Sequence, residues 1–255
     1  TEARIEAMAM GLEQIAMLED PIGEVLSMKT RPNGLQIGEK RVPLGVVGII
    51  YESRPNVTAD AFGLCFKTGN ATILRGGSDA IHSNKAIAKV IKNALCTKKL
   101  PQDALLLVEN TDRAMVTEMM RLREYIDVLI PRGGAGLIRT VVENARVPVI
   151  ETGVGNCHVY VDASADLEMA VDIVLNAKAS RPSVCNAIEN LLVHRDIAET
   201  FLPVAAARLS AAGVELRGCP RCREIVSTMR PATEEDYRTE FLDYILAVKV
   251  VDSLE

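Results

Sequence analysis

Short continuous apolar runs alternate with amphipathic segments between Val42 and Ile150, and this is the strongest pattern in the chain. Unbroken apolar runs are typical of strands buried on both faces of a parallel sheet with crossover helices. The pattern predicts strands at Leu44–Tyr51, Ala71–Arg75, Ala104–Val108, Ile126–Ile130 and Val147–Ile150, and helices at Thr58–Lys67, Asp79–Leu95, Asp112–Arg121 and Ala135–Asn144. We therefore expect a doubly wound α/β domain, which binds ligands at the carboxyl ends of its strands.

A different pattern precedes this domain. Apolar residues recur at helical spacing within Thr1–Met17, which predicts an N-terminal helix. Two short polar strands follow in Gly23–Lys40, and Asn33-Gly34 between them is a strong hairpin signal. The first 40 residues are thus expected to form a helix and a β-ribbon.

A second α/β unit is predicted after Thr152-Gly153. Asp196 with Glu199 three residues later is a capping-box pattern at the start of its second helix. The expected elements are a strand at Cys157–Val161, a helix at Asp166–Lys178, a loop at Ala179–Asn186, a strand at Ala187–His194, a helix at Asp196–Ala212 and a final strand within Tyr237–Val251. We expect three parts, 1–40, 41–150 and 151–255, of which the last two are a nucleotide-binding domain and a catalytic domain.

Composition narrows the classes of function. The chain has 255 residues, 48% of them hydrophobic and 25% charged, which is typical of a globular protein. Its net charge of −5, without a Lys/Arg block, argues against nucleic acid or an anionic membrane as a partner. The longest apolar run, Val42–Tyr51, is half of the roughly 20 residues that span a bilayer. Six scattered cysteines favour a reducing cytoplasm over a disulfide scaffold.

The histidines and the CxxC motif of the chain predict neither a metal site nor a thioredoxin-like redox site. The three histidines His82, His158 and His194 have no metal-ligand spacing, so no metal is predicted. Cys219-Pro-Arg-Cys222 has redox spacing, but it follows a helix instead of leading one in a thioredoxin-like unit. It is predicted to be a surface turn.

Two glycine-rich turns are candidates for binding phosphate. The chain has neither a GxGxxG fingerprint after its first buried strand nor a P-loop. Arg75-Gly76-Gly77-Ser78 and Arg132-Gly133-Gly134-Ala135-Gly136 each follow a predicted strand and open a helix, which places a guanidinium and backbone N–H groups together. One such glycine pair is more often a tight packing contact, but two of them favour a dinucleotide.

Two further residues suggest covalent chemistry. Cys185 lies in a polar loop, where substrate could reach its thiol and Arg181 could favour the thiolate. The alternative is an incidental or buried cysteine. Asn56 follows the first strand, where its amide could bind a developing oxyanion. The alternative there is a Pro-Asn turn before Thr58 caps a helix.

These motifs together resemble the γ-glutamyl phosphate reductase family, within the aldehyde dehydrogenase superfamily. The resemblance runs almost continuously from Val42 to about His194. Its most specific stretches are Arg41–Thr58, Lys67–Ala71, Ile73–Gly77, Leu129–Leu137 and Arg181–Asn186.

The resemblance implies an oxidoreductase of proline biosynthesis that uses NADPH to reduce L-glutamyl 5-phosphate to L-glutamate 5-semialdehyde and phosphate. Cys185 matches the family nucleophile that forms a thioester, and Asn56 matches the oxyanion-hole asparagine. Arg75 matches a basic residue near the adenosine ribose, which suits the 2′-phosphate of NADP(H).

The resemblance also implies binding partners. The cofactor candidates are Arg75, Gly76, Gly77, Ser78, Arg132, Gly133, Gly134 and Gly136, with the last three in the turn that approaches the pyrophosphate. On charge and position only, Arg54 and Arg181 are candidate anchors for the phosphate or carboxylate of the substrate, and Ser183 is a further candidate. A homo-oligomer assembled through the β-ribbon and a partnership with glutamate 5-kinase are further expectations.

Two alternatives remain open. Glu151 falls where hydrolytic aldehyde dehydrogenases carry a general base, so a non-phosphorylating dehydrogenase is possible. The family also continues past Glu255 and before Thr1. The catalytic domain is therefore expected to be incomplete at its C-terminal end, and a non-catalytic relative is the second alternative.

Overall fold

The computed structural model describes residues 1–52, 54–153 and 155–253. The chain divides into two compact units, Thr1–Thr152 and Gly153–Glu255. Each unit has its own parallel sheet and its own buried core. The predicted α/β class with parallel sheets is confirmed.

The first unit begins with a helix and a ribbon and continues with alternating strands and helices. Its helices are α1 (Glu2–Met17), α2 (Asn56–Lys67), α3 (Ile81–Thr97), α4 (Arg113–Arg121) and α5 (Ala135–Asn144). Its strands are β1 (Val25–Thr30), β2 (Gln36–Lys40), β3 (Val46–Tyr51), β4 (Ala71–Arg75), β5 (Leu105–Leu107) and β6 (Val128–Arg132).

The parallel sheet of the first unit has the strand order β5-β4-β3-β6. The chain runs from β3 outward to β5 and then returns to β6 on the other side of β3. In such a sheet, the place where the strand order reverses is where ligands bind, beyond the carboxyl ends of the strands. Here that switch point lies at the ends of β3 and β6.

Strand β3 is apolar throughout because both of its faces are covered. Val47, Ile49 and Tyr51 pack in one buried cluster with side chains of α2, α3 and β4, and Ile50 packs in another with side chains of α4, α5 and β6. Gly48 is required within the strand, since a Cβ atom there would lie 2.6 Å from Leu129 Cδ2.

The predicted strand at Val147–Ile150 is wrong. Val149 forms only an isolated parallel bridge with Leu129. Leu129 N donates to Pro148 O, and Ile150 N donates to Leu129 O. Pro148 has no N–H of its own, which limits a longer ladder at this position.

The predicted ribbon is present as the antiparallel pair β1–β2. Asn33 Oδ1 accepts a hydrogen bond from Leu35 N in its turn, and Gly34 has a φ of +85°, in the left-handed region that favours glycine. Helix α1 packs on α2, where Gly63 leaves room for Leu12.

The second unit has the strand order β10-β9-β11-β8-β7, again all parallel. Helices α6 and α7 pack on the sheet around Val174, Phe201, Leu202 and Leu246, all of which are buried. The strands are β7 (Cys157–Val161), β8 (Ile188–His194), β9 (Glu215–Gly218), β10 (Arg230–Pro231) and β11 (Ile245–Val251), and the helices are α6 (Leu167–Ala179), α7 (Arg195–Ala211) and α8 (Pro220–Ile225).

Three local expectations about this unit and α2 are corrected. Helix α7 is capped by His194, whose Nδ1 accepts from Asp196 N, so Asp196 is not the cap. Helix α2 begins at Asn56, and Thr58 is a buried residue within it. Cys219-Pro-Arg-Cys222 is not a surface turn: both thiols are buried, and Cys222 lies in α8, which the sequence did not predict.

No helix among the described residues is long and apolar enough to cross a membrane.

Candidate functional site

The switch point of the first unit brings together the segment after β3 and the glycine-rich turn after β6. Glu52 N donates to Arg132 O over 3.1 Å. The Glu52 carboxylate in turn accepts a hydrogen bond of 2.9 Å from Gly134 N, directly before α5. The backbone at this end of α5 therefore already binds one oxyanion, the carboxylate of the protein itself.

The glycines of the turn between β6 and α5 have different roles. A Cβ atom at Gly133 would meet the Glu52 carboxylate and lie 2.9 Å from Leu137 Cδ2. A Cβ atom at Gly136 would meet no described atom within 4 Å. Gly133 is therefore required by the fold, whereas the space around Gly136 is open. Arg132 and Gly134 are exposed.

Arg75 at the end of β4 is almost fully buried, with 9% of its surface exposed. Its Nη2 donates to Thr111 O over 2.6 Å, which fastens the connection between β5 and α4. Its Nε is buried and has no hydrogen-bond partner within the described parts of the chain. Arg75 thus has a structural role together with an unsatisfied donor.

A buried polar network lies beneath the glycine-rich turn that follows β4. The Tyr51 hydroxyl is 2.7 Å from Thr58 Oγ1, and Thr58 Oγ1 donates to Asn84 Oδ1 over 3.2 Å. Asn84 Nδ2 is buried without a hydrogen-bond partner among the residues described. Burial raises the pKa of the Tyr51 phenol, which stays protonated at neutral pH.

Gly76 lies directly over this network. A Cβ atom at Gly76 would collide with Asn84 Nδ2 and lie 2.9 Å from Tyr51 Cζ. Gly76 is therefore explained by packing, which was the simpler alternative for a single glycine pair. Gly77 is half-buried, and Ser78 is exposed at the start of the turn Ser78–Ala80. Thr58 was expected only as a helix cap, and Asn84 was not predicted, because it stands in no recognisable motif.

Asn56 is the first residue of α2 and is exposed. Its Nδ2 donates to Asp60 Oδ2 over 2.9 Å, one helical turn further on. The amide carries two N–H donors, so this bond uses one of them and orients the group. Arg54, also exposed, lies just before the helix, and Ser53 of the same motif lies outside the described residues.

Taken together, the first unit offers donors suited to phosphate oxygens. The backbone N–H of Gly134 binds an oxyanion, and Arg75 Nε and Asn84 Nδ2 are buried donors without partners among the described atoms. They lie at the ends of β6 and β4 and on α3, around the carboxyl edge of the sheet. This donor set fits a phosphorylated nucleotide.

Cys185 lies in the second unit, in the segment between α6 and β8, as predicted, and is exposed. Its carbonyl accepts a hydrogen bond of 3.4 Å from Cys157 Sγ. A Cβ atom at Gly155 would lie 2.8 Å from the same carbonyl, so glycine is needed for this close approach. The backbone of Cys185 is thus held against the segment that leads into β7.

A buried ion pair joins the two ends of the Cys185 segment. Lys178, near the end of α6, and Glu189, near the start of β8, are both below 2% exposed. This pair was not predicted, although a lysine on an apolar helix face and a glutamate in an apolar strand were signals of it. Arg181 and Ser183 are exposed within the segment.

Glu151 is exposed and belongs to the first unit. Among the residues that the structure describes, no group of three or more His, Cys, Asp or Glu side chains is arranged to hold a metal ion.

Comparison with known proteins places this arrangement in a family. The model of the aldehyde dehydrogenase family matches residues 2–241. The γ-glutamyl phosphate reductase of Moorella thermoacetica is 64% identical over 254 residues, which cover 100% of this chain and 61% of the relative. That of Clostridium novyi is 62% identical over 254 residues, with the same coverage of both chains.

A solved structure is also similar. The crystal structure of γ-glutamyl phosphate reductase from Thermotoga maritima has a TM-score of 0.87 and 54% identity, and the match covers 99% of this chain and 61% of that one. The chain belongs to the aldehyde dehydrogenase family. It spans about 61% of the length of the relatives named here.

Proposed function

We propose that the protein is a γ-glutamyl phosphate reductase, which reduces L-glutamyl 5-phosphate to L-glutamate 5-semialdehyde and phosphate with NADPH, in proline biosynthesis. The observation that carries this proposal is the 64% identity to a reductase of that name across the whole of this chain. Identity at this level over the whole of this chain supports the same fold and the same reaction.

Cys185 is the proposed nucleophile, and its exposure supports that role because substrate can reach the thiol. Its thiolate attacks the carbonyl carbon of the acyl phosphate, so that a C–S bond forms. The C–O bond to phosphate then breaks, and phosphate leaves with the electron pair. NADPH, when bound, supplies the hydride that reduces the resulting thioester. Collapse of the thiohemiacetal breaks the C–S bond, returns the electron pair to Cys185 and releases the aldehyde.

The negative oxygen that develops in both steps needs hydrogen-bond donors. We assign this role to the side-chain amide of Asn56 and to the backbone N–H of Cys185. The bond from Asn56 to Asp60 supports the assignment, since it orients the amide before substrate binds. Arg54, Arg181 and Ser183 are proposed to bind the charged ends of the substrate, on the basis of their charge, polarity and exposure.

The proposed cofactor residues lie at the ends of β4 and β6. Arg75, Gly76, Gly77 and Ser78 would bind the adenosine side, with the unsatisfied Nε of Arg75 as a donor to the 2′-phosphate that distinguishes NADP(H). Arg132, Gly133, Gly134 and Gly136 would approach the pyrophosphate, supported by the N–H of Gly134, which binds an oxyanion in the structure.

Partners and compartment belong to the same proposal. The exposed ribbon β1–β2 would join copies of the chain into a homo-oligomer, and a glutamate 5-kinase would supply the acyl phosphate. The six free cysteines favour the cytoplasm.

The proposal is tested by following NADP⁺ reduction with glutamate 5-semialdehyde and phosphate. Wild-type protein should reduce NADP⁺ only when phosphate is present, and Cys185→Ser should abolish the rate. Cys96→Ser, which changes another exposed thiol, is the matched control and should keep full activity. Phosphate-independent oxidation would instead indicate a hydrolytic enzyme with Glu151 as base, and full activity of Cys185→Ser would refute the mechanism.

A further inference from the structure

Two cysteines of the second unit form a close pair that the proposed reaction does not use. Cys219 directly precedes α8, and Cys222 lies within its first turn. Their Sγ atoms are 3.5 Å apart. A disulfide requires about 2.05 Å, so the two sulfurs are in contact but are not bonded.

The two thiols have different surroundings. Cys222 is completely buried, and its Sγ donates to Val248 O. Cys219 retains 9% exposure, and its Sγ accepts a hydrogen bond from Val250 N. Both backbone partners belong to β11, the central strand of the sheet. Cys219, the less buried residue, thus accepts a hydrogen bond from a backbone N–H, while Cys222 donates one to a backbone carbonyl.

These surroundings also give the two thiols different pKa values. Burial acts to raise the pKa of Cys219, but hydrogen bonds from Val250 N and from Cys222 outweigh it, so that the pKa is below its ordinary value. Burial raises the pKa of Cys222 to about 12, and the neighbouring Cys219 adds to this effect. Cys219 is therefore the better nucleophile, and Cys222 holds its proton until a disulfide has formed beside it.

We propose that Cys219 and Cys222 are a redox-active dithiol, which a low-molecular-weight disulfide converts to an intramolecular disulfide. The Cys219 thiolate attacks one sulfur of the small disulfide, so that one small thiolate leaves and a mixed disulfide remains on Cys219. Cys222 then transfers its proton to the released thiolate and attacks the Cys219 sulfur, which displaces the second small thiolate. The two protein thiols lose two electrons, and the small disulfide gains them as it becomes two thiols.

Oxidised glutathione is the probe for this test. After incubation with the native full chain, peptide mass spectrometry should find Cys219 linked to Cys222, with the loss of two hydrogens, and reduced glutathione should reverse it. The Cys222→Ser variant should instead stop at a glutathione adduct on Cys219, because the second thiol is missing. The Cys219→Ser variant should leave Cys222 unmodified, because Cys222 is buried. Circular dichroism spectra confirm that the variants compared are folded.

The controls separate this dithiol from the proposed reductase. Cys185→Ser should form the Cys219–Cys222 disulfide as the wild type does, although it loses the proposed activity. The exposed Cys96 should form only a mixed disulfide. The proposal is overturned if folded wild-type protein yields no Cys219–Cys222 disulfide, or if folded Cys222→Ser carries no adduct on Cys219.

Discussion

Lys178 Nζ lies 2.6 Å from Glu189 Oε2, and the pair connects the last turn of α6 to the start of β8. The other oxygen of Glu189 accepts a hydrogen bond of 3.1 Å from Leu242 N. The pair therefore closes the segment that carries Cys185 and fastens it to the chain before β11. Each partner neutralises a charge that would otherwise be buried alone.

We first predict that the Lys178→Met variant is strongly destabilised, because the Glu189 carboxylate would remain buried without its cation. The free energy of unfolding in urea should fall by about 3–5 kcal/mol. The double variant Lys178→Met/Glu189→Leu should recover much of this loss, since it leaves no isolated charge.

The exposed ion pair Arg208–Asp172 is a matched control for that experiment, with the same 2.6 Å separation. Because solvent screens this pair, Arg208→Ala should cost less than about 1 kcal/mol. If Arg208→Ala and Lys178→Met lowered the free energy of unfolding equally, burial would not determine how much stability is lost when an ion pair is broken.

The second prediction concerns Asn56. Asn56→Ala removes a proposed oxyanion donor and should lower kcat for NADP⁺ reduction by about 10²–10³-fold, with a smaller change in KM. Asn144→Ala, which removes another exposed amide on a helix of the same unit, should leave kcat unchanged. A wild-type kcat in a folded Asn56→Ala variant would exclude the assigned role.

The third prediction follows from the carboxylate at the end of α5. Glu52→Gln retains an acceptor for Gly134 N but removes a negative charge beside the proposed pyrophosphate site. Two negative charges about 4 Å apart in water repel each other by about 1 kcal/mol. Because Glu52→Gln removes this repulsion between the carboxylate and the pyrophosphate, the Kd for NADPH should fall about fivefold. Titration of the cofactor fluorescence measures the change.

Glu143→Gln is the control for Glu52→Gln, since it alters the net charge equally from the other end of α5. It should change the Kd by less than Glu52→Gln does. Weaker binding in Glu52→Gln would mean that the carboxylate supports the site and does not compete for it.

The fourth prediction concerns pH and Asp236. Burial acts to raise the pKa of Asp236, but hydrogen bonds from Thr233 N and from the Arg217 guanidinium outweigh it and hold the pKa below its ordinary value. Because the folded-state pKa is depressed, the stabilisation is fully present above the ordinary carboxyl value of about 3.9. It is lost as the pH falls through the folded-state value.

Asp236→Asn should therefore reduce the free energy of unfolding at neutral pH by about 2 kcal/mol. The difference from wild type should shrink as the pH falls below about 4. Urea unfolding at several pH values measures this difference, and a constant difference down to acid pH would contradict the linkage.

Several features could be predicted because their causes are local. The apolar runs of β3 and β4 identify buried strands, and Asn33-Gly34 identifies the ribbon turn. The polar segment around Cys185 is recognisable because it interrupts these patterns. Two local predictions were nevertheless wrong, because neighbouring residues decided the outcome: His194 caps α7 in place of Asp196, and Pro148 limits Val149 to a bridge.

The sequence by itself determined the α/β class, the ribbon, most helices and the position of the candidate nucleophile, since hydrophobic periodicity and turn residues act between neighbours in the chain. Only the tertiary structure decided which distant groups meet. Glu52 reaches Gly134, 82 positions further along the chain, because β6 returns beside β3. Cys222 reaches Val248, 26 positions further along, because β11 enters the sheet between β8 and β9. Such pairings depend on strand order and burial, which no local pattern contains.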